Sequence, residues 1–267
     1  MGATQQGPLA VVTGASGGIG RELAKQFARH DFDLLITATG PDLAEAAAEI
    51  RALGTQVVTA TADLATYDGV ESLCRAIEAT GRPVDAIAIN AGVIVGGDFT
   101  TQTDLADELR MIALNVTGTV HLAKRVLPDM VARGQGRILF TSSIVSLMPG
   151  PFEAVYNATK AFVQSFSQAL RNELKDTGVT ITALQPGPTQ TALFDRGGMG
   201  DTRVAAAQRE DPSLIAEQGF AALMAGKDHV IAGSPLSKVT GVIAKVLHDT
   251  ATAQLHRALS EPGSAKP

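Results

Sequence analysis

Apolar residues along this chain come in short runs separated by longer stretches with helical spacing. Leu9–Val12, Asp33–Ala38, Val57–Ala60, Ala86–Ile89, Arg137–Phe140, Val179–Leu184 and His229–Ala232 are rich in Val, Ile, Leu and Ala and mostly apolar at successive positions. Runs of this kind suit strands covered on both faces, which is the situation of a parallel sheet. Between them the spacing predicts helices over 19–30, 41–53, 68–80, 104–133, 155–177 and 212–225. Strand and helix in alternation predict an α/β fold. It is a Rossmann-type doubly wound parallel sheet of about seven strands, with helices on both faces and right-handed crossovers.

Two segments break the rhythm. Residues 187–212 hold Gly187, Pro188, Gly197, Gly198, Gly200 and Pro212 with mixed polarity, and a loop of that length in a compact domain is expected to be functional, here as a lid. Residues 238–260 predict a C-terminal helical tail that caps the fold or joins an interface, and its SEPGSAKP end is expected to fray. No repeat, low-complexity block or linker divides the chain, so 1–267 is expected to form one domain.

Composition narrows the possible functions. The 45% hydrophobic content supplies a large core. The net charge is -5 and the 22 basic residues form no block, which argues against nucleic acid or a membrane surface as partner. No apolar run approaches the ~20 residues needed to span a bilayer, and the start MGATQQGPLA lacks the features of a signal peptide. Cys74 is the sole cysteine, in keeping with a cytoplasmic location. The histidines, His30, His121, His229, His248 and His256, lack metal-ligand spacing, and no metal is expected.

The candidate chemistry gathers at strand ends. Thr13-Gly14-Ala15-Ser16-Gly17-Gly18-Ile19-Gly20 lies between the first strand and first helix, where glycines permit a tight turn and the helix N-terminus favours a diphosphate. No Gly-Lys-Ser/Thr closes the segment, so it is not a Walker loop. Tyr156 and Lys160 are four residues apart within a predicted helix and therefore share a face. Ser143 ends the fifth strand thirteen residues before Tyr156, and alternation turns its neighbour Ser142 the other way.

These motifs resemble the short-chain dehydrogenase/reductase family. Thr13, Gly14, Gly18 and Gly20 fit the TGxxxGxG of its shorter, single-domain branch, and 267 residues leave little room for the longer branch's extra domain. The resemblance runs from about Leu9 to Ser234. It implies hydride transfer between a nicotinamide and a carbonyl or alcohol carbon, with Tyr156 as acid/base, Lys160 beside it and on the nicotinamide ribose, Ser143 orienting the substrate oxygen, and Asn115 kinking its helix and holding a proton path. An unperturbed tyrosine titrates near 10, and an adjacent ammonium is expected to lower that value.

The resemblance also assigns cofactor contacts to Gly14, Ser16, Gly18, Ile19 and Gly20, and to Asn90-Ala91-Gly92 after the fourth strand. Pro186, Gly187 and Thr189 would fix the nicotinamide amide. Asp63-Leu64 matches the adenine-contacting pair, with a turn aspartate as the competing reading. The ribose-reading position falls on Thr39 and Gly40. Without a carboxylate there NADP is favoured over NAD, although no Arg or Lys attracts the extra phosphate and Asp42 is an alternative reader.

Pocket candidates are Val93, Ile94 and Val95 after the fourth strand and Ile144 and Val145 after the fifth. Phe152, Pro188, Leu193 and Phe194 join them, and Glu153 is either a polar residue near the pocket mouth or a surface charge, the surface being the favoured reading. Their apolar character predicts a largely hydrophobic ketone or secondary alcohol as substrate. The family resemblance implies a homodimer or homotetramer, and the apolar content of 104–133 and 155–177, including Phe162, Val163, Phe166 and Leu170, suits such contacts and core packing alike. A dinucleotide-binding regulator without turnover, and an epimerase or dehydratase using the same Tyr/Lys chemistry, are the rival functions.

Overall fold

The computed structural model describes residues 6–235, 237–239 and 248–265. Its centre is a seven-stranded sheet in the order β3-β2-β1-β4-β5-β6-β7. The strands are β1 (Leu9–Thr13), β2 (Asp33–Ala38), β3 (Val57–Thr61), β4 (Ala86–Ile89), β5 (Gly136–Thr141), β6 (Val179–Pro186) and β7 (His229–Ala232). Every neighbouring pair is parallel. All seven expected strands are present; the central ones are buried on both faces, while the edge strands β3 and β7 are only partly covered.

One face is covered by α1 (Gly18–Arg29), α2 (Leu43–Arg51) and α9 (Pro212–Met224). Leu23 and Phe27 of α1 and Phe220 of α9 pack there on Val12, Leu34 and Ile36. The other face carries α3 (Tyr67–Glu78), α5 (Thr119–Arg133) and α6 (Ala154–Glu173), whose Leu73, Leu122 and Val163 pack on Val11, Ile87 and Phe140. The chain reverses its direction of winding between β1 and β4. A crevice opens there beyond the strands' carboxyl ends, the usual ligand position in such sheets.

The expected 104–133 helix is three pieces. After α4 (Leu105–Ile112), residues Ala113–Gly118 form a π-helical turn, and α5 follows. The widened turn carries Asn115 to the loop after β4. Its Oδ1 accepts from the Val93 N–H at 3.0 Å and its Nδ2 donates to the Val93 carbonyl at 2.9 Å. At its far end Gly118 lies against the chain after β3, where a Cβ would come within 2.2 Å of the Leu64 carbonyl oxygen.

Residues 187–212 are more ordered than a plain loop. They contain α7 (Leu193–Arg196) and α8 (Arg203–Ala206), and a bridge joins Thr189 to Glu210. The tail expected at 238–260 falls partly outside the described residues; within them it forms α10 (Asp249–Ser260). Its end is tied down rather than frayed. The Ala265 N–H donates to the Asp201 carbonyl, Gly263 N–H to Asp201 Oδ2, and Arg203 binds Ser264 through its backbone N–H and Nε. Backbone and side-chain groups of Asp201 and Arg203 hold residues 263–265 in a way that composition does not reveal.

Candidate functional site

The glycine turn after β1 passes directly into α1. Gly14 adopts φ +68°, and a Cβ there would lie 2.9 Å from Ala91 Cα, so this position requires glycine. Gly17 opens α1 with no side-chain cap, which leaves N–H groups of the first turn free for a diphosphate. Ser16 and Ile19 are half-buried beside it. The Thr191 methyl group faces Gly18, so the 187–212 segment closes over the turn from the other side.

Beyond β2, Thr39 is exposed and Gly40 has open space beside it. No charge is placed at the ribose-reading position. The basic residues of α1 are engaged elsewhere, Arg21 with Glu45 and Glu49, and Lys25 with Glu22 and Glu49. Asp42 stands exposed at the start of α2.

Asp63 forms the turn that sequence left as one of two readings. Its Oδ1 accepts from the Ala65 N–H at 3.1 Å and its Oδ2 pairs with Arg110 at 3.0 Å, while Thr66 caps α3. The Leu64 side chain is in the core, so only its backbone is left to face a ligand. Asn90 is likewise committed to the framework. Its Nδ2 donates to the Thr13 carbonyl at 3.1 Å and its Oδ1 accepts from Thr141 Oγ1 at 3.0 Å, bracing β1 and β5 across β4. Ala91 and Gly92 continue from it along the crevice, and Pro186 and Gly187 stand across the sheet at the end of β6.

Helix α6 presents Tyr156, Thr159 and Lys160 from one buried face. The Tyr156 and Ser143 side chains border the same cavity, and the Ser143 hydroxyl is close enough to act on the phenol. Ser143 Oγ also accepts from the Val145 N–H at 3.3 Å and points toward the Pro186 carbonyl at 3.5 Å. Ser142 turns away as expected and donates to the Lys160 carbonyl at 3.0 Å. Lys160 Nζ donates to the Thr141 carbonyl at 3.0 Å and lies 5.7 Å from the centre of the Tyr156 ring. Burial pushes this lysine down to about 8. Asn115 joins the group through Nδ2, which donates to Thr159 Oγ1 at 3.1 Å. A Cβ on Gly92 would be 3.1 Å from Asn115 Oδ1 and 3.3 Å from Lys160 Nζ, so both polar groups border one small space.

The phenol differs from the sequence expectation. Tyr156 titrates above its ordinary value, chiefly because burial disfavours the phenolate and also because the Glu153 charge opposes it; the Ser143 hydroxyl works the other way. The ammonium, oriented to Thr141, does not offset the loss of water. The phenol is therefore held in its neutral form.

Ser143 and Tyr156 open into a cavity of about 130 Å³. Six of the expected pocket residues line it: Ile94, Ile144, Val145, Pro188, Leu193 and Phe194. Ile19 and Thr189 also reach it from the cofactor side. Three expected residues do not line it. Val93 is turned outward and Val95 packs at the margin of a small cluster behind it. Phe152, in the left-handed region at φ +66°, stacks under Arg257 at 4.9 Å.

Sequence reasoning favoured the surface for Glu153, but it is only 4% exposed and lines the cavity. The tail helix covers it, contributing Leu255, His256, Leu259 and Ser260 to the same wall. The repeat of Leu255–Leu259 and His256–Ser260 at four-residue spacing marked two adjoining stripes on that helix, but nothing local indicated what they cover.

Residues 8–198 match the family model described as short chain dehydrogenase. The chain belongs to the short-chain dehydrogenase family, a family of oxidoreductases. Among its relatives is sulfoacetaldehyde reductase 2 of Chromohalobacter salexigens, 31% identical over 217 residues, which are 81% of this chain and 86% of the relative. The NADP-dependent 3-hydroxy acid dehydrogenase YdfG of Salmonella typhi is 32% identical over 179 residues, 67% of this chain and 71% of that one. A short-chain dehydrogenase from Sphingobium yanoikuyae, solved in complex with NADPH, superposes with TM-score 0.78 at 30% identity, covering 84% of this chain and 87% of the other.

Proposed function

We propose that this protein is an NADP-preferring oxidoreductase that interconverts a ketone and a secondary alcohol on a compact, largely apolar molecule that carries no negative charge. The observation that carries the reading is the Ser143–Tyr156 hydroxyl pair. It stands beside buried Lys160 and faces an apolar cavity at the carboxyl edge of β5 and β6.

A bound nicotinamide dinucleotide supplies or accepts the hydride. The uncapped α1 terminus, with Gly14, Ser16, Gly18, Ile19 and Gly20, would hold its diphosphate. Thr39 would face the adenine ribose, with Asp63, Leu64, Asn90, Ala91 and Gly92 along the adenosine side and Pro186, Gly187 and Thr189 beside the nicotinamide. The absence of a carboxylate at Thr39 and Gly40 supports NADP, as do the NADPH complex and the NADP-dependent relative.

Ser143 orients the substrate oxygen. Tyr156 Oη donates its proton as that oxygen gains charge, a favourable transfer because an alkoxide is a far stronger base than a phenolate. Lys160 supplies positive charge next to the phenolate left behind, and Asn115 with Gly92 borders the space through which a proton can return. Residues 187–212 act as the lid, and α10 completes the wall that keeps water out.

Among the described residues lining the cavity there is no Arg or Lys, and one is a glutamate. That supports a substrate without negative charge, in contrast to the sulfonate and carboxylate named in the two relatives. The cavity is smaller than the roughly 300 Å³ at which drug-sized pockets begin, which supports a compact molecule.

An apolar groove of about 460 Å³ on the outer face of α4 and α6, lined by Phe99, Ile112, Val116 and Val155, supports self-association as a homodimer or homotetramer. Cys74, buried and with its thiol pushed up by burial, suits a reducing compartment, and we assign the enzyme to the cytoplasm.

The test is NADPH consumption with a panel of small neutral ketones and matched keto acids. The reading predicts turnover of neutral ketones well above that of the acids. NADPH binding with no turnover of any carbonyl would favour a regulator, and redox-neutral conversion would favour an epimerase or dehydratase.

A further inference from the structure

Glu153 immediately precedes α6, three residues before Tyr156, so the two side chains lie on neighbouring positions of one face. Facing them across the cavity are His256 and Ser260 of α10. Glu153 Oε1 accepts from Ser260 Oγ at 2.6 Å and lies 3.7 Å from His256 Nε2. The other ring nitrogen, Nδ1, is 3.2 Å from the Pro151 carbonyl oxygen. A carbonyl can only accept, so Nδ1 carries the proton and the neutral ring turns a lone pair toward Glu153.

The Ser260 proton is already directed at the carboxylate. With Glu153 ionised, the cluster therefore offers the cavity two acceptors, a carboxylate and an imidazole nitrogen, set too far apart to share a direct hydrogen bond. Both are 4% exposed, and the wall around them is apolar, formed by Leu255, Leu259 and Phe194. Acceptors in such surroundings are costly unless a donor meets them. Burial pushes Glu153 up to about 7 and His256 down, as expected for groups short of a donor.

We propose that Glu153 and His256 bind a hydrogen-bond donor on the substrate, an alcohol hydroxyl or a protonated amine, a short distance from its reacting carbon. The pair then sets specificity for hydroxy- or amino-substituted ketones and their alcohols over plain ones. This rests on the ketone–alcohol reading above.

The test compares three compact ketones of equal length: an alkyl methyl ketone, its hydroxy analogue and its amino analogue. Each is assayed with the wild type, Glu153→Gln and His256→Leu. The wild type is expected to prefer at least one donor-bearing ketone over the plain one by tenfold or more in kcat/KM. In both variants that ratio should fall toward one, with NADPH affinity retained as the control for folding. A hydroxyl ligand predicts equal losses in the two variants, whereas an amine predicts the larger loss in Glu153→Gln. A wild-type ratio near one, or a preference unchanged in whichever variant still turns over the plain ketone, overturns the proposal. Absence of turnover with all three ketones despite NADPH binding overturns the parent reading instead, and this inference with it.

Discussion

At Tyr156 two physical effects compete. Desolvation favours the neutral phenol, and the Ser143 hydroxyl favours the phenolate; desolvation wins. Ser143 nevertheless lines the cavity with Tyr156, and on the proposed role Ser143→Ala is expected to lower kcat by about 100- to 1,000-fold, the usual loss of one stabilising donor. Glu153 gives a second expectation at this scale. Its carboxyl is raised from 4.5 to about 7, so between those values the folded protein keeps a proton that the unfolded chain releases. Stability from this group is complete below about 4.5 and is lost as pH rises through 7, a change on the order of 3 kcal/mol. Among the described residues, Tyr156 beside it and His256 across the cavity are the titratable groups that share the cavity with it. Melting curves of Glu153→Gln should therefore run above the wild type at pH 8 and converge with it near pH 4.5; a constant offset would contradict the burial argument. Ser143, Tyr156 and Lys160 were legible in the sequence because strand-end position and four-residue spacing are local facts. Glu153 was not, since a glutamate's default is solvent and the helix that buries it comes far later in the chain.

Among the elements, the central strands were legible because a strand with two buried faces is apolar throughout, as β1 and β4 are. The interruption of 104–133 was less so. Asn115 signalled a kink, but the π turn also depends on two distant backbone segments, Val93 bonded by Asn115 and Leu64 pressed against Gly118. Gly118→Ala puts a methyl group against the Leu64 carbonyl. It should destabilise by about 1–3 kcal/mol, the usual cost of overpacking, and lower Tm by several degrees. A melting temperature equal to the wild type would show that this contact is not close. The 187–212 segment and the tail were legible only as exceptions to the rhythm. Their order comes from pairing with each other, through Asp201 with Gly263 and Arg203 with Ser264, and no local pattern encodes that.

Across the whole molecule, the sheet holds the candidate site at the carboxyl ends of its central strands while the outer faces of α4 and α6 stay apolar. Leu105 is 70% and Leu109 55% exposed on α4, and Phe162 stacks on Phe166 along α6. If copies associate through these helices, Phe162→Glu should shift light-scattering mass toward the monomer, whereas a wild type that is itself monomeric would remove that role. Among the described residues, no helix is long and apolar enough to cross a membrane. The central claim is that Tyr156 is the proton donor for hydride transfer beside a bound nicotinamide. Its most direct test is kcat/KM for NADPH-dependent ketone reduction by Tyr156→Phe, measured with NADPH affinity on the same samples. The account predicts a loss of about 100- to 10,000-fold with affinity unchanged. Activity near that of the wild type would contradict it.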